Sequence, residues 1–286
     1  MDVSPRSLIL DLLSTLSRGS MPVRTLVRAA ELFGISENNL RVALARLVRA
    51  GRVERDARGH YRLGEAAQAV NRRVTSWRRG DERLRPWCGE WAGVITSGLP
   101  RGQRAALRRS ETALRLAGFR ALEPGLAIRP DNLAGGVPAL REALAGLGLD
   151  PAAPVVRLAE LDAEREARAR ALWDGDSLVA SHRAAREAIE ASGARLAELP
   201  PERARVESFT LGGAALRHLA LDPLLPDELV PGDERRALVA AMTRYDALGR
   251  DAWRGLLASH GVAQLRAPLD TRQTDRPWAT ADERPR

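Results

Sequence analysis

The apolar positions of the first 50 residues recur at helical spacing in three successive segments, 5–19, 22–34 and 36–50. Gly19 is expected to end the first helix, because glycine adopts the backbone conformation that closes a helix. Ser36 is expected to cap the third helix, because its hydroxyl can accept a hydrogen bond from the first turn. Two helices joined by a short turn that contains glycine are typical of a helix-turn-helix.

A short alternating segment at 52–55 and another at 60–63 flank a turn that contains Gly59, which predicts a β-hairpin directly after the third helix. Three helices followed by a hairpin indicate a winged helix-turn-helix domain over residues 1–70. Residues 71–86 are expected to form a basic connector, because Pro86 disfavours a continuing helix.

The following residues, up to 160, alternate between strand and helix patterns in the order β-α-β-β-α-β. The expected elements are strand 87–96, helix 104–117, strands 118–122 and 126–130, helix 137–147 and strand 155–158. This order predicts a ferredoxin-like domain over 87–160. Trp87 and Trp91 are expected to share one face of its first strand, where packing between domains is favoured over ligand stacking.

Residues 161–265 are predicted to form a mostly helical regulatory domain with Trp173 as an anchor, which makes the whole chain an α+β protein. A break at Gly212-Gly213 is expected in the helix over 201–219. Residues 235–259 form the predicted final helix. The tail 266–286 lacks periodicity and is expected to be disordered.

The charge of the chain is concentrated at one end. Residues 1–86 hold 17 arginines against 9 acidic residues, an excess of +8, which equals the net charge of all 286 residues. The other 200 residues are electrically balanced. A basic module joined to a neutral body indicates that the first module binds nucleic acid. All 45 basic residues are arginine, which codon bias explains better than function.

The polar face of the third helix and the hairpin tip carry the residue types that contact DNA. Asparagine and arginine can read base edges in the major groove, and arginine also binds phosphates. An ordinary solvated helix face is the alternative. The candidate DNA-binding residues are Ser36, Asn38, Asn39, Arg41, Arg46, Arg49, Arg55, Arg58 and His60.

The sequence favours a protein that is not an enzyme and needs no cofactor. Cys88 is the single cysteine, the four histidines form no metal-binding spacing, and no catalytic serine or phosphate-loop motif occurs. The segment Val94-Ile95-Thr96 carries no carboxylate for a metal-dependent nuclease. No apolar run suggests a membrane span, so the chain is expected to be cytoplasmic.

Four stretches of the chain together resemble the PaaX-type transcriptional repressors of phenylacetic acid catabolism, over roughly residues 5–260. They are the first helix with the segment Arg41–Gly51, Trp87-Cys88-Gly89-Glu90-Trp91, the segment 118–130 with Pro124-Gly125, and Asp222-Pro223-Leu224-Leu225-Pro226 with the residues to Pro231. The resemblance implies a winged-helix domain, a ferredoxin-like domain and a helical domain. It also implies a homodimer that releases DNA when an aryl-CoA thioester such as phenylacetyl-CoA binds.

The chain departs from the family after Pro231, where Gly232-Asp233-Glu234 follows and no tryptophan appears. Arg217 and His218, just before the 222–231 motif, are the candidate contacts for an acyl-CoA effector, whose other contacts are not identified. We therefore expect a repressor that binds double-stranded operator DNA. The alternatives are a regulator of this family with another effector, a metal-dependent nuclease or other nucleic-acid enzyme on this scaffold, and a non-specific nucleic-acid binder.

Overall fold

The computed structural model describes residues 3–16, 20–56, 58–99 and 104–262. The described helices are α1 (Pro5–Ser14), α2 (Val23–Glu31), α3 (Glu37–Arg49), α4 (Glu65–Thr75), α5 (Arg104–Leu116), α6 (Gly136–Leu147), α7 (Ala163–Arg170), α8 (Gly175–Gly193), α9 (Pro201–Leu221) and α10 (Asp233–Ala258). The described strands are β1 (Met21–Pro22), β2 (Val53–Arg55), β3 (His60–Leu63), β4 (Trp91–Ile95), β5 (Arg120–Glu123), β6 (Leu126–Pro130) and β7 (Val155–Leu158). The chain is an α+β protein with two small antiparallel sheets, as the sequence predicted.

The described residues up to Leu63 fold as three helices against a three-stranded sheet of order β1-β3-β2. Ser4 caps α1 and Ser36 caps α3, each accepting a hydrogen bond from the backbone three residues on, which confirms the predicted cap at Ser36. Leu8, Leu26 and Leu40 are fully buried in one core, because helical spacing places them on facing stripes. The hairpin closes this core with Val53.

Two details of this part differ from the sequence prediction. Strand β1 was not predicted, because two residues carry no alternation; it exists only through its pairing with β3, Met21 opposite Tyr61. Helix α1 ends at Ser14, earlier than expected. Gly19, which was expected to end it, lies outside the described residues.

The second sheet has four antiparallel strands in the order β5-β6-β4-β7. Its elements follow the chain order β-α-β-β-α-β, with α5 after β4 and α6 after β6. Helices α5 and α6 pack through Ala113, Leu140 and Leu144 on the face that carries Ala92 and Val94. Gly125 forms the turn between β5 and β6 with φ +83°, a conformation that glycine adopts without strain.

The predicted first strand of this sheet, 87–96, was wrong at its start. The strand begins at Trp91, where the chain first pairs with β6 and β7. Before it, Gly89 has φ +84° and turns the chain, and the Trp87 indole donates a 2.6 Å hydrogen bond to the Glu90 carbonyl. The rings of Trp87 and Trp91 therefore meet edge to face through a turn, with centroids 5.2 Å apart, and do not share a strand face.

Helices α7 to α10 occupy most of the last 100 described residues. The expected break at Gly212-Gly213 is absent, and α9 runs without interruption past both glycines. Gly212 serves close packing instead: a Cβ atom there would lie 3.4 Å from the Tyr245 ring of α10. Trp173 is buried among Trp87, Trp91 and residues of the 225–230 segment. Among the described helices, none combines the length and apolar character that crossing a bilayer requires.

The first module shares its core with the end of the chain. Trp253, Leu256 and Leu257 of α10 belong to the same buried cluster as the leucines of α1 to α3. Phe209 of α9 lies between the two, with its ring 5.1 Å from Phe33 and 6.0 Å from Trp253. Helix α4 runs through the expected boundary at residue 70 and contacts α9.

Arg129 joins the second sheet to the segment after α9. Its side chain is completely buried, and it donates hydrogen bonds to the carbonyls of Ala117, Pro223 and Leu224 at 2.5, 3.0 and 3.5 Å. The Asn132 side chain accepts from Arg129 at 3.0 Å and donates to the Leu224 carbonyl at 2.8 Å. Two of the sequence stretches noted above, 118–130 and 222–231, therefore meet in space around one guanidinium group.

We predict that Arg129→Met lowers the free energy of unfolding by about 3 kcal/mol or more, because buried carbonyls lose their donors and the apolar replacement cannot satisfy them. Urea denaturation followed by circular dichroism measures the loss. Arg120→Met on the neighbouring strand is the control, since Arg120 is exposed and should change stability little. Equal stability of the two variants would show that the Arg129 hydrogen bonds do not hold the segment.

Candidate nucleic-acid interface

Helix α3 presents one apolar face to the core and one polar face to solvent. Leu40, Leu44 and Leu47 are buried on the inner face. The Ser36 hydroxyl accepts from the Asn39 amide at 3.3 Å and fixes the start of the helix. The outer face carries the candidate DNA-binding residues of this segment. All of them are exposed: Ser36, Asn38, Asn39, Arg41, Arg46 and Arg49.

The three arginines of α3 differ in their partners. Arg41 pairs with Glu37 one turn earlier, with its Nη2 atom 2.6 Å and its Nε atom 2.8 Å from the same carboxylate oxygen. Arg46 and Arg49 form no ion pair within the described residues, so their full charge faces solvent. These two side chains are therefore better placed than Arg41 to bind a phosphate or a base edge.

The hairpin tip is organised by Asp56, a residue that the sequence analysis did not select. Its carboxylate accepts from the backbone amides of Arg58 at 3.0 Å and His60 at 2.8 Å. The hydrogen bond from the His60 amide is the main reason that the pKa of Asp56 lies below its ordinary value. The spacing of Asp56 and Gly59 signals such a turn, because aspartate commonly bonds the amide two residues on.

The side chains of the tip take several directions. Arg55 lies over the Tyr61 ring, 5.9 Å from its centroid. Arg58 is exposed, whereas His60 is only part-exposed and its Nδ1 atom lies 3.5 Å from the Asp56 carboxylate. Arg62, on the same strand as His60, pairs with Glu54 of β2 at 2.8 Å. The tip thus offers Arg55 and Arg58 to a partner and holds His60 in the turn.

Val42 is a second residue missing from the candidate set. It stands on the outer face of α3 between the arginines and is 43% exposed, one of the few large apolar side chains left in solvent. An apolar contact of this kind suits the methyl group of thymine. Helical spacing predicts that Val42 lies on this face. Its side chain has no hydrogen-bonding group, so the sequence alone does not indicate a binding role.

The effector candidates Arg217 and His218 lie near the end of α9. Arg217 is exposed and its Nη1 atom is 3.9 Å from the Asp11 carboxylate of α1, so it links α9 with the first module. His218 is half-buried, and its ring meets the His182 ring edge to face with centroids 4.9 Å apart. This contact joins residues 36 positions apart, so the spacing of the histidines in the sequence could not reveal it.

His182 is buried and shares a 2.6 Å hydrogen bond with Asp222 through its Nε2 atom. The other oxygen of Asp222 accepts from the Leu224 amide at 2.6 Å. Leu224 has φ +52°, an uncommon conformation for leucine that these contacts and those of Arg129 hold in place. The pKa of His218 is lowered by burial first and by the nearby His182 second, while Asp222 raises it.

Within the described residues, no three histidine, cysteine or acidic side chains converge as ligands of a metal ion. Cys88 is exposed and free. The described residues at the end of β4, Ile95 and Thr96, carry no carboxylate.

Comparison with known proteins places the first module in a family. Residues 4–67 match the family model described as PaaX-like protein. The chain is also similar to a solved structure described as uncharacterized protein Rv0674 from Mycobacterium tuberculosis, with 30% sequence identity and a TM-score of 0.51. That similarity covers 86% of this chain and 98% of the other. A comparison with the curated proteins finds no match.

We predict that wild-type stability falls as the pH drops below about 6.5, the ordinary pKa of histidine, and that His218→Gln weakens this fall. The folded state lowers the pKa of His218, so the unfolded chain binds the proton more readily and acid favours unfolding. Above that range the neutral ring is present in both states and the effect vanishes. Urea unfolding at pH 5 to 8 measures it, with His260→Gln as the control outside the cluster. An identical acid slope in wild type and His218→Gln would contradict the prediction.

Proposed function

We propose that this chain, which belongs to the PaaX-like protein family, is a DNA-binding transcriptional regulator of an aromatic catabolic operon, most simply a repressor of phenylacetate degradation. One observation carries the proposal. The residues that match the family, 4–67, hold 11 arginines against 6 acidic residues and contain the exposed helix α3. The protein binds operator DNA and catalyses no reaction in this proposal.

The layout that we propose is a winged helix-turn-helix followed by a ferredoxin-like part and a helical part. Three helices, the β2–β3 hairpin and the Asp56 turn support the first assignment. The strand order β5-β6-β4-β7 with two helices supports the second. In this layout the α3 helix enters the major groove and the hairpin tip lies over an adjacent phosphate strand.

The exposed groups of α3 divide into two roles. Arg46 and Arg49, which pair with no carboxylate among the described residues, supply charge to phosphates or guanine edges, and Asn38 supplies an amide for adenine. Arg41 must leave Glu37, or bind together with it, before it can contact DNA. Arg55 and Arg58 add phosphate contacts from the tip, and each phosphate contact makes the affinity more dependent on salt.

We further propose that a homodimer binds the operator and that an acyl-CoA, such as phenylacetyl-CoA, releases it. The ion pair between Arg217 of α9 and Asp11 of α1 supports a regulatory link, because a ligand that engages Arg217 would change a contact with the DNA-binding module. A ligand shifts the equilibrium only if it binds one conformer more tightly than the other. His218, next in the chain, is half-buried against the His182 ring and is the second candidate.

We predict that Arg46→Ala weakens binding to the promoter upstream of the gene for this chain by about tenfold at constant salt. The lost charge should also reduce the slope of log affinity against log salt by about one if Arg46 contacts a phosphate. Fluorescence anisotropy with a labelled promoter duplex and a random duplex measures both quantities.

Arg183→Ala is the matched control, because Arg183 is an exposed arginine of α8 paired with Glu234 and far along the chain from the module. It should leave affinity unchanged. Equal binding of promoter and random duplex would contradict the proposed regulator and would indicate a non-specific nucleic-acid binder. Cleavage of the duplex with added Mg²⁺ would instead favour an enzyme.

A further inference from the structure

Val42 is an exposed apolar side chain at the centre of the outer face of α3. Its exposed fraction is 43%, whereas Leu40, Leu44 and Leu47 form the buried side of the helix. Successive residues of a helix are about 100° apart, so Val42 lies almost directly opposite these three leucines. The side chain that stands furthest from the core in the middle of α3 is therefore apolar.

The residues around Val42 on this face are polar or positively charged. Asn38 lies one turn before Val42 and Arg46 one turn after it, because residues four apart are neighbours on a helix surface. Arg49 follows on the same side of the helix. Neither arginine pairs with a carboxylate among the described residues. A polyanion therefore fits this surface better than an apolar protein face, which would bury the two unpaired charges.

Valine is an unusual choice for this position in physical terms. It favours a helix less than the leucine, alanine and arginine that make up most of α3. In return, its branched side chain keeps one rotamer in a helix, so the two methyl groups have a fixed direction. They lose little conformational entropy when a partner covers them. Single exposed apolar residues are common on proteins. Val42 differs from them because it stands in the middle of a DNA-binding face.

We propose that Val42 recognises the C5-methyl group of a thymine in the major groove of the operator. This methyl is the apolar group that base pairs present in that groove, and apolar side chains contact it. Cytosine is disfavoured at the same place, because its amino group would find no acceptor on valine. The inference rests on the proposed function, and it names a feature of the DNA that the arginines and asparagines of α3 do not read.

Binding of the full chain to two forms of one promoter duplex tests the proposal. One form contains thymine, and the other contains uracil throughout, which removes the methyl groups and keeps the hydrogen-bonding groups of the bases. Fluorescence anisotropy at constant salt measures both affinities. The wild type should bind the uracil duplex about fourfold more weakly, which is the factor that burial of one methyl-sized group supplies.

Val42→Ala removes the same contact from the protein side. The variant should bind the thymine duplex about fourfold more weakly than the wild type does, and it should bind both duplexes equally. On the uracil duplex the variant and the wild type should agree, which also shows that the variant is folded. The slope of log affinity against log salt should not change, because no charge is removed.

Val48→Ala is the matched control. Val48 is the other exposed valine of α3, with an exposed fraction of 38%. It is six residues from Val42 and therefore about 120° away around the helix, outside the centre of the outer face. Val48→Ala should keep the preference of the wild type for the thymine duplex.

Equal affinity of the wild type for the two duplexes would overturn the proposal, and so would a thymine preference that persists in Val42→Ala. If the protein still preferred its promoter to a random duplex, either result would leave the proposed function standing. A thymine preference that depends on Val42, in a protein that binds promoter and random duplexes equally, would overturn the proposed regulator and leave the methyl contact standing.

Discussion

The guanidinium of Arg129 is a fully buried positive charge with backbone carbonyls around it. Its partners come from the end of α5 and from the 222–226 segment, so one side chain ties the four-stranded sheet to the connection between α9 and α10. A charge in this position is tolerated only if each of its donors finds an acceptor. The segment must therefore keep the backbone course that offers its carbonyls, including the positive φ of Leu224.

The contacts of the 222–226 segment also constrain both ends of the helical part. Asp222 binds the Leu224 amide and the His182 ring, which fixes α8 against α9. Leu224 also lines a small cavity of ≈ 20 Å³ together with Arg83 and Arg235. The middle sheet, the histidine contact and the cavity are thus parts of one connected structure. A change in the 222–226 segment would alter the packing at all three.

Local signals were enough to predict much of the fold. The cap at Ser36 and the hairpin turn that contains Gly59 depend on residues close together in the chain, and the structure has both. The outer face of α3 followed from helical periodicity alone. Its candidate residues are exposed there, while their contact with DNA stays a prediction.

The features that the sequence did not reveal depend on distant partners. Trp91 starts β4 because Pro130 and Leu158 stand opposite it, and Gly212 continues α9 because the Tyr245 ring covers it. The strand pattern gave no sign that Arg129 is buried. The i,i+4 spacing of Glu37 and Arg41 on a helix was enough to predict their ion pair. The pair makes Arg41 less available to a binding partner than the other arginines of α3.

The sharing of the first core with α10 bears on how the protein is made. The cluster that holds Leu8 and Leu40 also contains Trp253, Leu257 and Val262. A ribosome synthesises α1 to α3 long before the side chains of α10 that complete their core. Domains generally fold as units during synthesis. Here the N-terminal module reaches its finished packing only after α10 has emerged, so chains that stop before α10 lack part of the core against which α3 packs.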